Sequence, residues 1–310
     1  MVTVRPLRED DLEEADRICR LAFGTFLGLP DPMKFMGDAQ YVRTRWRADP
    51  EAALAAEMDG SIVGSNFATF WGKVAFFGPL TIRPELWDRG IAGKLLERTM
   101  EIFAERKAEH LGLFTFSQSP KHVSLYQKFG FWPRFLTAIL ARTVEAGRAT
   151  VRGSLLGAER DREAPLRECR ELTEAIYPGL DLGSEISATM EQGLGETLLV
   201  REAGELAAFA VCHLGAGSEA GSGTGYVKFG AARPGPGAAE RFERLLDACE
   251  ALVVDRGMST LVAGMNLARE EAYRRMRARG YRALLQGVAM YRPNEPGYGR
   301  PDRFVIDDWR

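Results

Sequence analysis

Three observations predict an α/β (α+β) chain built from two tandem copies of one unit. The first is internal repetition. Arg83-Pro84 closes the apolar stretch VAFFGPLTIRP ahead of a long amphipathic segment, and Arg233-Pro234 closes GYVKFGAARP ahead of another, 150 positions later. Gly130-Phe131 after LYQKF and Gly280-Tyr281 after YRRMRAR keep the same offset of 150. Upstream, AALAAEMDGSIVGSNFATF and TLLVREAGELAAFAVCHL both read as strand, glycine turn, strand, with Gly60 matching Gly204 at an offset of 144. The second observation is that strand-like runs alternate with segments of helical period. The third is length, since 310 residues at ~150 per domain make about two domains, each able to bury a core.

The first unit reads in order as a strand over 3–5, a helix over 9–23, an aromatic-rich stretch over 26–46, a hairpin over 52–71 and a strand over 74–82. Ile91, Leu95, Thr99, Ile102 and Phe103 then recur at helical spacing, one apolar stripe to lay on a sheet. A strand over 111–116, a helix over 120–129 and a strand over 135–143 complete the unit. The polar stretch AGRATVRGSLLGAERDREAP separates the copies, giving units over 1–146 and 166–310 and a linker over 147–165.

Composition excludes several classes. Hydrophobic residues at 45% and charged residues at 27% are ordinary globular values. With 41 basic against 43 acidic residues, no overall positive field exists to hold nucleic acid or an anionic membrane. Cys19, Cys169, Cys212 and Cys249 are scattered among apolar neighbours without a CxxC pair, so they read as reduced, packed thiols with neither disulfide nor metal. The first residues turn acidic without an apolar core, and no apolar run approaches ~18 residues, so the expected place is the cytoplasm.

The chemistry concentrates in RPELWDRGIAGK. Gly90 and Gly93 flank Ile91 and Ala92 at the start of a helix, where about four backbone N–H groups lack intrahelical partners. Glycine lets an anion approach the main chain, and Arg89 and Lys94 add local charge. The pattern is neither a Walker A loop nor a GxGxxG dinucleotide fingerprint.

The order strand, RPxxxxxGxAG, helix, strand, then SPKHVSLYQKFGF resembles the GNAT superfamily of acyl-CoA-dependent N-acetyltransferases. In the family window Gln/Arg-x-x-Gly-x-Gly/Ala, this chain has Trp87, Asp88, Arg89, Gly90, Ile91 and Ala92, with Trp87 departing. In the second signature, Tyr126, Gly130 and Phe131 agree, whereas Ser119 and His122 depart. The resemblance implies a splayed sheet that admits the pantetheine arm of acetyl-CoA or another acyl-CoA, with no metal. It places the pyrophosphate on residues 89–94, the oxyanion on the strand N–H groups around Leu80, Thr81 and Ile82, and the arm near Trp87 and Ser119. It makes Tyr126 the acid that protonates the departing thiolate. The acceptor is then a small-molecule or peptide amine, and a homodimer is compatible with the pattern.

The general base stays open. Glu57 near the hairpin tip and His122 one turn before Tyr126 are the candidates, and packing is the expected role for His122; His110 and His213 receive no chemistry. Phe23, Phe26, Phe35, Phe67, Phe70 and Trp71 fall in the segments that the resemblance implies wall the acceptor groove, with some of them expected in the core, and they suit an apolar or aromatic amine. The second unit reads as degenerate: Glu240 stands where Gly90 stands and Met276 where Tyr126 stands, although Gly235 and Gly237 retain a shortened turn. The tail FVIDDWR suits a strand on a sheet edge or against a partner. The alternative to an active transferase is a non-catalytic acyl-CoA-binding or sensor protein.

Overall fold

The computed structural model describes residues 1–145, 147 and 151–310, so the boundary expected at Ala146 falls outside the described residues. In the first unit β1 (Val2–Pro6) pairs with β2 (Ala53–Met58), which pairs with β3 (Ser61–Trp71). Between β1 and β2 lie α1 (Leu12–Phe26) and α2 (Val42–Ala48), the latter inside the aromatic-rich stretch. The run Ala53-Leu54-Ala55-Ala56 is apolar throughout because both faces of this sheet are covered. Ala53 and Ala55 pack on Ile18 and Cys19 of α1, whereas Leu54 and Ala56 pack on the opposite side against Ile91, Leu95 and Ile102. Those three belong to the helical stripe, and they sit in α3 (Ile91–Glu105).

The strand expected over 74–82 is two strands. β4 (Val74–Phe77) lies between β3 and β6 (His110–Thr115), antiparallel to the first and parallel to the second, whereas β5 (Thr81–Ile82) keeps only β3 as its neighbour. Pro79, lacking an N–H, cannot continue a ladder, and the chain stays beside β3 but parts from β6 there. This break is the splay of the sheet. After it come α4 (Pro120–Lys128) and β7 (Trp132–Thr143).

Within the segment expected as linker, β8 (Ser154–Leu155) adds to the far edge of β9 (Gly195–Glu202), and α5 (Glu163–Ile176) begins. Then follow α6 (Gly183–Glu191), β10 (Glu205–Leu214), β11 (Thr224–Ala232), α7 (Ala238–Asp255), β12 (Thr260–Asn266), α8 (Glu270–Ala278), β13 (Arg282–Arg292) and β14 (Val305–Ile306). The order from β9 to β13 repeats that from β2 to β7, and the hairpin glycines Gly60 and Gly204 both adopt left-handed φ, 76° and 89°.

The two copies exchange their last strands. β6 pairs with β13, β12 pairs with β7, and β7 and β13 pair antiparallel with each other in one continuous mixed sheet flanked by helices. Thr137 lies opposite Gly287, its own counterpart 150 positions later. A local two-fold therefore runs through that pair, the arrangement of an isologous interface within one chain.

Candidate active site

The splay opens into a cavity of about 840 Å³ that collects most of the residues singled out in the sequence. One wall is Leu80, Thr81 and Ile82 followed by Trp87, Asp88 and the turn into α3; the other is the end of β6 with α4. β5 faces β3 at Thr81, where the register pairs it with Ser65, so the backbone groups of Leu80 and Ile82 on either side point away from that ladder.

Gly90 caps α3 with φ 75°, a conformation that favours glycine, and a Cβ on Gly90 or Gly93 would meet no atom within 4 Å. The unpaired N–H groups of the first turn of α3 thus face open space of the kind an oxyanion needs. The flanking charges are placed less directly. Lys94 donates to the carbonyl of Val2 at 3.0 Å, and neither Lys94 nor Arg89 lines the cavity. Asp88 pairs with Lys121 at 2.6 Å, and Lys121 lies over the Trp87 ring at 5.6 Å. Trp87 itself donates from Nε1 to the carbonyl of Ile82 at 2.9 Å, so the residue that departs from the family window braces the splayed strand.

Tyr126 lines the cavity, its ring 5.7 Å from that of Phe77, with the Thr115 hydroxyl as a hydrogen-bond partner. Burial pushes its phenol up to about 12, and the bond with Thr115 only partly offsets this.

His122 also lines the cavity, and its ring packs against aromatic neighbours there. Its ring lies 4.8 Å from that of Phe26 and 6.3 Å from that of Phe116, and burial together with neighbouring Lys121 depresses its basicity. Ser119 lies outside the cavity lining, where its hydroxyl caps α4 by accepting from the His122 N–H at 3.4 Å. Glu57 is also away from the cavity, held by Arg5 Nε at 2.7 Å. Of the expected aromatic wall, Phe23, Phe26 and Phe35 are present, with Phe23 stacked on Phe35 at 5.2 Å. Phe67, Phe70 and Trp71 are not: Phe67 packs under α1, Phe70 against Phe103, and Trp71 against Phe76 and Phe229 with its Nε1 donating to Glu185. Phe67 and Phe70 point to opposite faces of β3, and each face is covered by a helix, α1 on one side and α3 on the other, which composition alone does not reveal.

Sequence reasoning missed Leu285 and Trp309, which line the same cavity from the second unit. They arrive through the strand exchange and the tail, so no local pattern points to them. The tail pairs within the chain: Val305 and Ile306 lie against Ala231 and Gly230, and Trp309 then stacks on Phe76 at 5.8 Å. A buried cluster anchors this junction. Arg45 donates to Glu219 at 2.9 and 3.2 Å, to the carbonyl of Gly78 at the splay, and to the carbonyl of Arg310, while Lys228 donates to Glu219 at 2.7 Å.

In the second unit the counterpart of Gly90 is Gly237, three residues before the expected Glu240. It caps α7 with φ 80°, and Glu240 lies in the first turn beyond it. The 150-residue offset slips by three at this turn because Gly235-Pro-Gly237 is shorter than the stretch between Pro84 and Gly90. Met276 is fully buried where Tyr126 faces the cavity.

Residues 16–131 match the model of the Acetyltransferase (GNAT) family. The first unit is a GNAT domain. Among curated proteins none matches the sequence. Solved structures match the whole chain in fold. A proposed acetyltransferase of Pyrococcus horikoshii aligns over 99% of this chain and 95% of its own at TM-score 0.70 and 17% identity. A GCN5-related N-acetyltransferase of Sphaerobacter thermophilus aligns over 96% of each chain at TM-score 0.61 and 14% identity. One of Anabaena variabilis aligns over 94% of this chain and 72% of its own at TM-score 0.54 and 12% identity. No helix among the described residues is long and apolar enough to cross a membrane.

Proposed function

We propose that the protein is an N-acetyltransferase that moves an acetyl group from acetyl-CoA to a primary amine, with the chemistry in the unit over 1–146 and the unit over 166–310 as its scaffold. The observation that carries this reading is that one cavity gathers the backbone N–H groups of Leu80 and Ile82, turned away from the β3 ladder, the glycine-capped start of α3 and the Tyr126 phenol. The N–H groups of residues 90–94 would take the pyrophosphate, and those of Leu80 and Ile82 would serve the pantetheine arm and the oxyanion. The amine nitrogen attacks the thioester carbon, the C–S bond breaks, and Tyr126 gives its proton to the sulfur. No covalent enzyme intermediate is required. Four buried free thiols accord with a cytoplasmic protein, and a small molecule or a peptide would bring the amine.

Two measurements test this. Titration calorimetry with CoA should give one site per chain, and acetyl-CoA with a panel of amines should release free thiol. Binding without thiol release for any amine would favour a sensor; two equivalent CoA sites would refute the assignment of the second unit as scaffold.

A further inference from the structure

We propose that the acceptor is a weakly basic aromatic amine that enters uncharged, and that His122 takes its proton once the nitrogen has bonded to the acyl carbon. This rests on the transferase reading above and adds to it the acceptor class and the base.

The first ground is the shape and polarity of the wall facing Tyr126. Phe26 lies 4.8 Å from both Phe116 and His122, Phe23 stacks on Phe35, and Trp309 closes the side contributed by the second unit. Offset and tilted rings of this kind hold a further aromatic ring well. The second ground is charge. Among the described side chains lining the cavity, Asp88 is the one carboxylate, and Lys121 holds it at 2.6 Å. The cationic groups there are Lys121, Lys128 and Arg310, the last paired with Asp308 at 3.4 Å. An alkylammonium or a polyamine would find no side-chain carboxylate on this wall that lacks a cationic partner, and desolvating an unpaired charge is strongly unfavourable. An aromatic amine, whose lone pair is drawn into its ring, carries no charge at neutral pH and escapes that penalty.

The third ground is the position of His122. It is one helical turn before Tyr126 on α4, and i,i+4 residues share a face, so proton acceptor and proton donor reach the same cavity from one helix. The titratable and charged groups that share the cavity with it are Lys121, Tyr126 and Lys128 on its own helix and Asp88, Tyr41 and Arg310 from other parts of the chain. Burial and Lys121 keep the imidazole neutral at pH 7. So weak a base cannot strip an alkylammonium, whose ordinary value is ~10.4, but it can accept the proton that N–C bond formation makes acidic. The step balances: N–C forms, C–S breaks, the amine proton goes to the imidazole, the Tyr126 proton goes to the thiolate, and solvent restores both side chains.

The test uses the full chain, acetyl-CoA, and p-toluidine, benzylamine and spermidine as probes. Expected is a kcat/KM at pH 7 at least tenfold higher for p-toluidine. His122→Ala should lose ~100-fold or more with that probe, keep its CoA affinity by calorimetry, and regain rate when millimolar imidazole is added. Rescue separates proton transfer from packing, which free imidazole would not restore. Preference for spermidine or benzylamine overturns the acceptor class while leaving the transferase reading intact. An unimpaired His122→Ala, or one that imidazole does not rescue, removes His122 as the base. Absence of thiol release with every amine overturns the transferase reading itself.

Discussion

The helices α3 and α7 start alike and face different things. Gly90 and Gly237 cap them with nearly the same backbone, φ 75° and ψ 6° against φ 80° and ψ 7°. In front of Gly90 there is open space, whereas the Arg241 guanidinium lies 3.5 Å from where a Cβ on Gly237 would sit and donates to the carbonyl of Arg233. The strand edges differ in the same sense. With the 150-residue offset, Gly230 and Ala231 correspond to Leu80 and Thr81, and in the second unit β14 is paired there, with Ala232 donating to Phe304 as well. In the second unit the chain's own tail occupies the corresponding edge, and the cap geometry is the same because turn conformation serves the fold whether or not a ligand binds. The same tail then delivers Trp309 to the first cavity, so the infilled half completes the open one.

The harshest way to break this comparison is to remove the second half. A fragment of residues 1–164 would leave β6 without β13 and β7 without both neighbours, exposing ladder edges that invite aggregation. We expect no soluble monomer in size-exclusion chromatography. A monomeric, active fragment would mean that β7 folds back onto β6 and that the exchange is dispensable. Next in size is Gly90→Glu, which adds bulk, like charge and a strained left-handed residue. CoA binding should vanish by calorimetry, while Gly237→Glu, in the filled site, should leave CoA affinity unchanged. If both substitutions weakened CoA equally, the two helix starts would have to be regarded as working alike.

Tyr126→Phe should lower turnover ~100 to 10,000-fold with CoA affinity nearly unchanged, since the ring still packs and only the proton is lost. Its mirror, Met276→Tyr, should create no second activity, because that side chain faces a sealed core. The contrast between these two positions was legible in the sequence. So were nearly all the strands and helices of the first unit, because apolar period and glycine turns are local signals. The split at Pro79 and the contributions of Leu285 and Trp309 were not, since each depends on which strand lies beside which. Two sequences alike enough to be read as repeats are also alike enough to exchange strands, and nothing in either one distinguishes pairing with itself from pairing with its copy.

The junction can be probed at Glu219. Glu219→Gln would leave Arg45 and Lys228 buried without their carboxylate. Breaking one partner of such a group typically costs ~3–5 kcal/mol, which denaturant unfolding would register. Gly78 at the splay and the tail at Arg310 both bond Arg45, so the loss should reach acceptor KM more than CoA affinity. A substitution that lowered stability without touching KM would confine the cluster to scaffolding.

The smallest effect is expected at His110, the first residue of β6, where the two halves meet. Its ring packs 5.0 Å from Tyr291 and 5.5 Å from Tyr177, and neither ring nitrogen has a hydrogen-bond partner. Desolvation pushes it from 6.5 down to about 4. The unfolded chain therefore takes up the proton first, and stability is constant above pH 6.5 and falls as pH drops toward 4. That span of 2.5 units corresponds to about 3 kcal/mol at most. His110→Leu removes the unpaired nitrogens and keeps an apolar side chain among apolar rings, so it should flatten the acid limb of the stability profile and leave neutral-pH stability equal or higher. His122 and His213 are depressed in the same direction, so some acid sensitivity should persist in that variant. An unchanged acid limb in His110→Leu would mean that the proton reaches the interface without unfolding it, and that the halves part there more readily than their continuous sheet implies.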